Sequence, residues 1–198
     1  MSGMPLPDAV RALHRLRRPE DVVISAMGAA REWMALGTQP LDWVFVPSSM
    51  GQATSLGLGL ALAQPERRII VLNGDGGLLM NLGSLVTLSA YAPPNLLMLL
   101  FDNGVYEVTG AQPTPGAAAG RVGGDALDFA ALSRACGIRN VQRFGTLREW
   151  DGALPGLLRD PGPTVAVLDV APMPHAKGPR SPGPAPARAR EFMRALGV

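Results

Sequence analysis

The chain has 198 residues, enough for one α/β domain with a substantial core and cramped for a second. Apolar residues make up 47% of it, and 24 Gly with 19 Pro point to a globular protein with many tight turns. The net charge of +2 and the absence of a recognised nucleic-acid module around the two arginine groups (Arg11, Arg15, Arg17, Arg18; Arg188, Arg190, Arg194) argue against a nucleic-acid surface and predict solvated helix faces.

In chain order, the spacing of Val10, Leu13 and Leu16 predicts a helix over 7–18, with Asp8 in its first turn. A short strand, 21–24, ends at Ser25-Ala26-Met27-Gly28, and a helix over 29–36 stops at Gly37. The second strand, 43–46, ends at Pro47-Ser48-Ser49-Met50-Gly51 and precedes a helix of small residues, 52–64. The third strand, 69–72, leads into Gly74-Asp75-Gly76-Gly77, followed by a single helix over 78–91 that runs through Gly83 to Pro93-Pro94. The fourth strand, 95–101, ends at Asp102-Asn103-Gly104. Residues 105–124 are rich in Gly, Pro and Ala without apolar periodicity, a length of loop that is usually functional or disordered. Helix 126–135, strand 141–144, helix 147–159 and strand 164–170 follow, then a proline-rich connector over 172–186 and a terminal helix over 187–196.

Strands alternating with helices predict a single three-layer α/β domain with a mostly parallel sheet of about six strands. A single cysteine, Cys136, rules out an intrachain disulfide framework and suits a reducing cytoplasm. The N-terminus has no signal-peptide apolar region, and the run from Ala53 to Ala63 is too short to span a membrane, so a cytoplasmic protein without a membrane partner is expected.

In such sheets ligands bind outside the carboxyl ends of the strands, where all four glycine-rich or polar turns are predicted to lie. The Asp75 carboxylate and the Asn103 amide oxygen, 28 residues apart, are hard oxygen ligands on neighbouring strand ends, suited to Mg²⁺ that also keeps phosphate oxygens. The glycines between them free backbone N–H groups to approach a phosphate at a helix start. The pattern reads as a diphosphate clamp.

Gly74-Asp75-Gly76 with Asn103 resembles the diphosphate-binding domain of thiamine diphosphate enzymes, whose motif is Gly-Asp-Gly followed at similar spacing by Asn. From Asp21 onward the chain more closely resembles the phosphonopyruvate and sulfopyruvate decarboxylases. The matching segments are Ser49-Met50-Gly51, GDGGLLMNLGSLVTLSAYAPPNLL from Gly74 to Leu97, and DNGVYEVTGAQ from Asp102 to Gln112. The resemblance implies the thiamine diphosphate-binding fold, with thiamine diphosphate and Mg²⁺ as cofactors. It makes Asp75, Asn103 and the backbone carbonyl of Val105 the metal ligands. Gly74, Gly76, Gly77, Gly28 and Ala29 would line the diphosphate, with Ser49 and Tyr106 also against the cofactor. Met50 would hold the cofactor in its V conformation, and the Ser48 carbonyl would hold the aminopyrimidine. The implied boundaries are an N-terminal helix over 1–20, the cofactor domain over 21–171, and the connector with its helix over 172–198.

The implied function is non-oxidative decarboxylation of a small 2-oxo acid, with the cofactor as electron sink. A carboligase of the acetolactate synthase kind, or a non-catalytic cofactor-binding or regulatory subunit, is the alternative. The superfamily's activating glutamate resides on a pyrimidine-binding domain of roughly 150 residues. Residues 1–20 leave no room for it ahead of the first strand, so a separate partner subunit, in a heterotetramer or larger assembly, is expected. The family's Thr-Gly-x-Thr/Ser-Ser-Arg-Glu run appears here as Met27-Gly28-Ala29-Ala30-Arg31-Glu32, without its hydroxyls, which weakens the grounds for a phosphonate or sulfonate substrate. Glu107 stands two positions out of register with the acid of single-chain pyruvate decarboxylases and is not expected to be catalytic. His14 is expected to be exposed, and His175, Lys177 and Arg180 to be solvated loop residues. Arg31 and Glu32 would form an exposed pair, and Trp33, Trp43 and Trp150 would sit in the core or an interface.

Overall fold

A computed structural model of the chain describes residues 3–45, 48–120, 122–173 and 181–198. The sequence-predicted end of the second strand at Val46, the turn residue Pro47, and His175, Lys177 and Arg180 lie outside the described residues.

Six strands form one parallel sheet: β1 (Val22–Ser25), β2 (Asp42–Val44), β3 (Ile69–Gly74), β4 (Leu96–Asp102), β7 (Asn140–Phe144) and β8 (Thr164–Asp169). Their order is β2-β1-β3-β4-β8-β7, with every pair parallel. β1, β3, β4 and β8 are apolar because helices cover both faces, and alternate residues belong to two separate cores. Val71, Met98 and Val167 face one way, under α3 (Ala53–Ala63), α5 (Ser84–Tyr91), α6 (Phe129–Ala135) and α8 (Ala185–Leu196). Leu72, Leu99 and Leu168 face the other, under α1 (Leu6–Leu16), α2 (Met27–Ala35) and α7 (Leu147–Arg159). Gly57 shows why α3 is built of small residues: a Cβ there would collide with Val71 of β3. Among the described residues no helix is long and apolar enough to cross a membrane.

The predicted three-layer architecture therefore stands, with local corrections. The helix expected over 78–91 is two helices, α4 (Asp75–Met80) and α5, broken at Asn81, whose backbone leaves helical geometry. Ser84 Oγ donates to the Asn81 carbonyl at 2.7 Å and secures that break. The segment 105–124 is not structureless: it contains an antiparallel hairpin, β5 (Val105–Tyr106) with β6 (Gln112–Pro113), and two short 3-10 turns. α6 begins at Phe129 because Asp128 caps it, accepting from the Ala130 and Ala131 N–H groups at 2.9 and 3.1 Å.

Two arginines are buried, Arg17 contrary to its expected place on a solvated helix face and Arg68. Arg17 pairs with Asp42, which also accepts from the Trp33 indole at 2.9 Å, and together they tie α1 and α2 to β2. Burial raises the Asp42 carboxyl above its ordinary range, against the pull of Arg17. His14 is half-buried beside Trp33, with ring centroids 5.0 Å apart. Arg68, 6% exposed, donates to the carbonyls of Leu157, Asp160 and Pro94, closing the end of α7 against the loop before β4. Its replacement by Met leaves three carbonyls without that donor. Arg68→Met is expected to lower unfolding stability by about 2–4 kcal/mol, read from the urea denaturation midpoint.

Candidate functional site

The chain runs from β1 outward to β2, then returns across to β3 and proceeds the other way, so the β1/β3 boundary is a topological switch point. The strands part there at their carboxyl ends, and the loops leaving β1, β3 and β4 surround a cleft of about 300 Å³. Every residue singled out from the sequence lines it: Gly28, Ala29, Ser48, Ser49, Met50, Gly74, Asp75, Gly76, Gly77, Asn103, Val105 and Tyr106. Leu6, Met27, Met80, Phe101 and Val108 make the rest of the wall largely apolar.

Register brings Asp75 and Asn103 together. Gly74 pairs with Phe101, so the residues that follow these strand ends emerge side by side. The Asp75 carboxylate is 2% exposed and accepts from the backbone N–H groups of Gly76 and Asn103 and from Thr114 Oγ1 at 3.1 Å. Burial, reinforced by the Asp102 carboxylate, pushes its pKa up to about 6. Burial raises Asp102 too, opposed by Arg143, which reaches Asp102 at 3.5 Å and Asp169 at 2.7 Å. A positive charge beside such a buried acid would favour its ionised form, and a second acid beside it disfavours that form.

The third predicted ligand is a backbone carbonyl. Gly104 and Tyr106 carbonyls face β6 and accept from the Thr114 and Ala111 N–H groups at 2.9 Å each. Strand alternation therefore turns the Val105 carbonyl away from the hairpin, while the Val105 N–H donates to Asn103 Oδ1 at 3.0 Å. Among the described residues no three His, Cys, Asp or Glu side chains gather into a metal cluster, so any cation here relies on this mixed oxygen set.

The backbone around the cleft is open. Neither Ala26 nor Gly74 caps its helix with a side chain: the Glu107 carboxylate lies against the start of α2, and in α4 the Gly76 N–H is taken by the Asp75 carboxylate. The Tyr106 ring lies so close over Gly76 that a Cβ there would come within 2.5 Å of it, and a Cβ at Gly77 would meet Asn73 Oδ1 at 2.6 Å. Met27 and Met50 adopt positive φ (55° and 44°), a costly conformation for L-residues that clusters at functional sites. The Met50 side chain stands 66% exposed at the rim, and its N–H donates to Ser48 Oγ at 3.2 Å. Ser49 Oγ is buried with no hydrogen-bond partner.

Three participants escaped the sequence reading. Thr114 lies in the segment read as irregular, and no local pattern marks a hydroxyl that folds back 39 residues onto Asp75. Glu107 lines the cleft and is hydrogen-bonded to Asn103. Arg31 is not an exposed pair with Glu32: both side chains are 18% exposed, and Arg31 Nη2 is buried without a hydrogen bond, 3.9 Å from Glu107.

A strand-end acid, an adjacent amide and carbonyl, and the uncapped start of α2 meet in this one cleft. Residues 25–168 match the thiamine pyrophosphate enzyme family, C-terminal TPP binding domain, and the chain belongs to that family. It is 40% identical over 170 residues to the phosphonopyruvate decarboxylase of Streptomyces hygroscopicus, an alignment covering 84% of this chain and 40% of that protein. It is 40% identical over 154 residues to sulfopyruvate decarboxylase subunit beta of Methanothermobacter thermautotrophicus, covering 77% and 75% respectively. The chain thus spans less than half of the first relative and three quarters of the second. Its fold matches an X-ray structure from Mycobacterium smegmatis described as a thiamin diphosphate-dependent enzyme, with a TM-score of 0.68 at 17% identity over 86% of this chain and 32% of that one.

The raised Asp75 pKa has a consequence for stability. An acid raised from 3.8 to about 6 penalises the fold above pH 6, by about 3 kcal/mol, and the penalty fades as pH falls from 6 toward 4. Asp75→Asn is expected to raise the melting temperature of the metal-free chain at pH 7.5 by several degrees, with the gain shrinking toward pH 4 in thermal scans.

Proposed function

We propose that this chain is the diphosphate-binding subunit of a two-subunit, thiamine diphosphate-dependent decarboxylase of small 2-oxo acids, acting in the cytoplasm. The observation that carries the reading is that Asp75, Asn103 and Val105 line one cleft at the switch point, with the Asn103 N–H on the Asp75 carboxylate and the Val105 N–H on Asn103 Oδ1. The residues present fit the cofactor and Mg²⁺: a buried acid that a cation would stabilise in its ionised form, glycines where a Cβ would collide, and a helix start, α2, without a side-chain cap. When bound, the cofactor supplies an electron sink for loss of CO₂ from a 2-oxo acid.

The chain's own residues then have distinct tasks. Asp75, Asn103 and Val105 would hold Mg²⁺, and Gly28, Ala29, Gly74, Gly76 and Gly77 would bring backbone to the diphosphate. The Ser48 carbonyl orients the aminopyrimidine, with Ser49 beside it, and Tyr106 closes over Gly76 as a wall. Met50, at the rim with its positive φ, would press the cofactor into its reactive shape, a proximity effect. The apolar wall excludes water. The pyrimidine-activating glutamate comes from a partner subunit, as supported by the relative named a beta subunit, of which this chain covers 75%. Ala29 and Ala30 stand where the decarboxylase branch carries hydroxyls, so the second anionic group of a phosphono- or sulfo-substrate has fewer donors here.

Calorimetric titration of thiamine diphosphate into the chain, with and without Mg²⁺, tests the reading. Metal-dependent binding that Asp75→Ala or Asn103→Ala abolishes is expected; unchanged binding by both variants refutes the metal site. With the partner subunit present, Met50→Ala is expected to lower kcat about 100-fold while cofactor affinity changes only a few-fold. Aldehyde as the product confirms the decarboxylase, and an acyloin would make the protein a carboligase.

A further inference from the structure

Glu107 opens the 3-10 turn after β5 and is almost enclosed, its side chain 10% exposed. Its two oxygens do different things. Oε1 accepts from Asn103 Nδ2 at 3.0 Å and also from the backbone N–H of Met173, beyond β8, at 2.7 Å. Oε2 lies against the start of α2, where a Cβ at Gly28 would sit 3.2 Å away, with Arg31 Nη2 at 3.9 Å. One carboxylate thus touches the loop after β4, the segment after β8, and the uncapped end of α2, where negative charge is favoured.

The contact to Asn103 bears on the metal site. A carboxamide can be turned either way, and only one orientation offers its oxygen as a ligand. Here Oδ1 receives the Val105 N–H at 3.0 Å and Nδ2 donates to Glu107. The flipped amide would set an NH₂ against an N–H and a carbonyl oxygen against a carboxylate, two repulsions at once.

Building on the reading above, we propose that Glu107 is a positioning residue for the cation site: it locks the Asn103 carboxamide with its oxygen available and anchors the metal loop to the 171–173 segment and to α2. Partners one step removed from a metal commonly set its affinity by 10–100-fold.

The test is the Mg²⁺ dependence of thiamine diphosphate binding to the full chain, measured by calorimetry over a series of Mg²⁺ concentrations. Glu107→Ala removes the acceptor and Glu107→Asp withdraws it by one methylene. Both are expected to raise the Mg²⁺ needed for half-saturation by about 10–100-fold. Glu107→Gln keeps a carbonyl oxygen that can accept both bonds, and is expected to stay within about threefold of the unmodified chain. If Glu107→Ala does not fold, the Asp and Gln pair still decides the matter. Unchanged Mg²⁺ dependence in the Ala or Asp variant, or a Gln variant as impaired as Asp, overturns the proposal. An unmodified chain that binds no thiamine diphosphate at any Mg²⁺ concentration overturns the cofactor reading beneath it, a separate and distinguishable result.

Discussion

The buried carboxylate of Asp75 is the constraint around which the rest of the cleft is arranged. Parallel pairing of β3 with β4 brings it beside Asp102 and Asn103, and β4 with β8 sets Asp102 opposite Asp169, so the register that builds the sheet also crowds acids at its carboxyl edge. Arg143 meets part of that crowding by bridging Asp102, Asp128 and Asp169. It has no recorded contact with Asp75, which relies on hydrogen bonds from Gly76, Asn103 and Thr114. Neutral donors stabilise a carboxylate without cancelling its charge, and here burial still outweighs them. On the proposed reading a divalent cation would offset that burial, so the geometry that disfavours the ionised acid in the free chain would favour it in the loaded one.

Most of this was legible in the chain. Apolar runs such as Ile69–Gly74 and Leu96–Asp102 ending in Gly, Asp and Asn identify parallel strands and place chemistry at their carboxyl ends, because backbone direction alone decides that edge. The split between α4 and α5 was not legible, because apolar residues continue across Asn81–Gly83 and periodicity does not register one residue leaving helical geometry. Thr114, Arg31 and Glu107 were missed for a different reason. Their roles depend on contacts between distant segments, and for Glu107 the local sequence shows only its register relative to a catalytic acid. Its carboxylate instead accepts hydrogen bonds from Asn103 and Met173.

The burial of Arg17 carries a related lesson. A cluster of four arginines near one helix reads as a solvated face, yet Arg17 lies just past the end of α1, and the chain turns it inward onto Asp42 and Gln39. Composition describes a face on average; a position at a helix end escapes that average.

Strain and stability are distributed unevenly across the molecule. Two left-handed methionines, an ionisable acid held near pH 6, and an unpaired Ser49 hydroxyl all border the cleft. The pairing of Arg17 with Asp42, the carbonyl cluster on Arg68, and the fully buried Trp33 and Trp150 lie in the layers behind it. Left-handed L-residues cost roughly 1–2 kcal/mol each, and such a site persists only where surrounding packing over-determines it. The sheet supplies that surplus: its central strands are buried on both faces, so the loops at its carboxyl edge are held by a frame too stiff to relax them. On the proposed reading such a site would gain from preorganisation, because the charge and shape a diphosphate and its metal require would be set before either arrives.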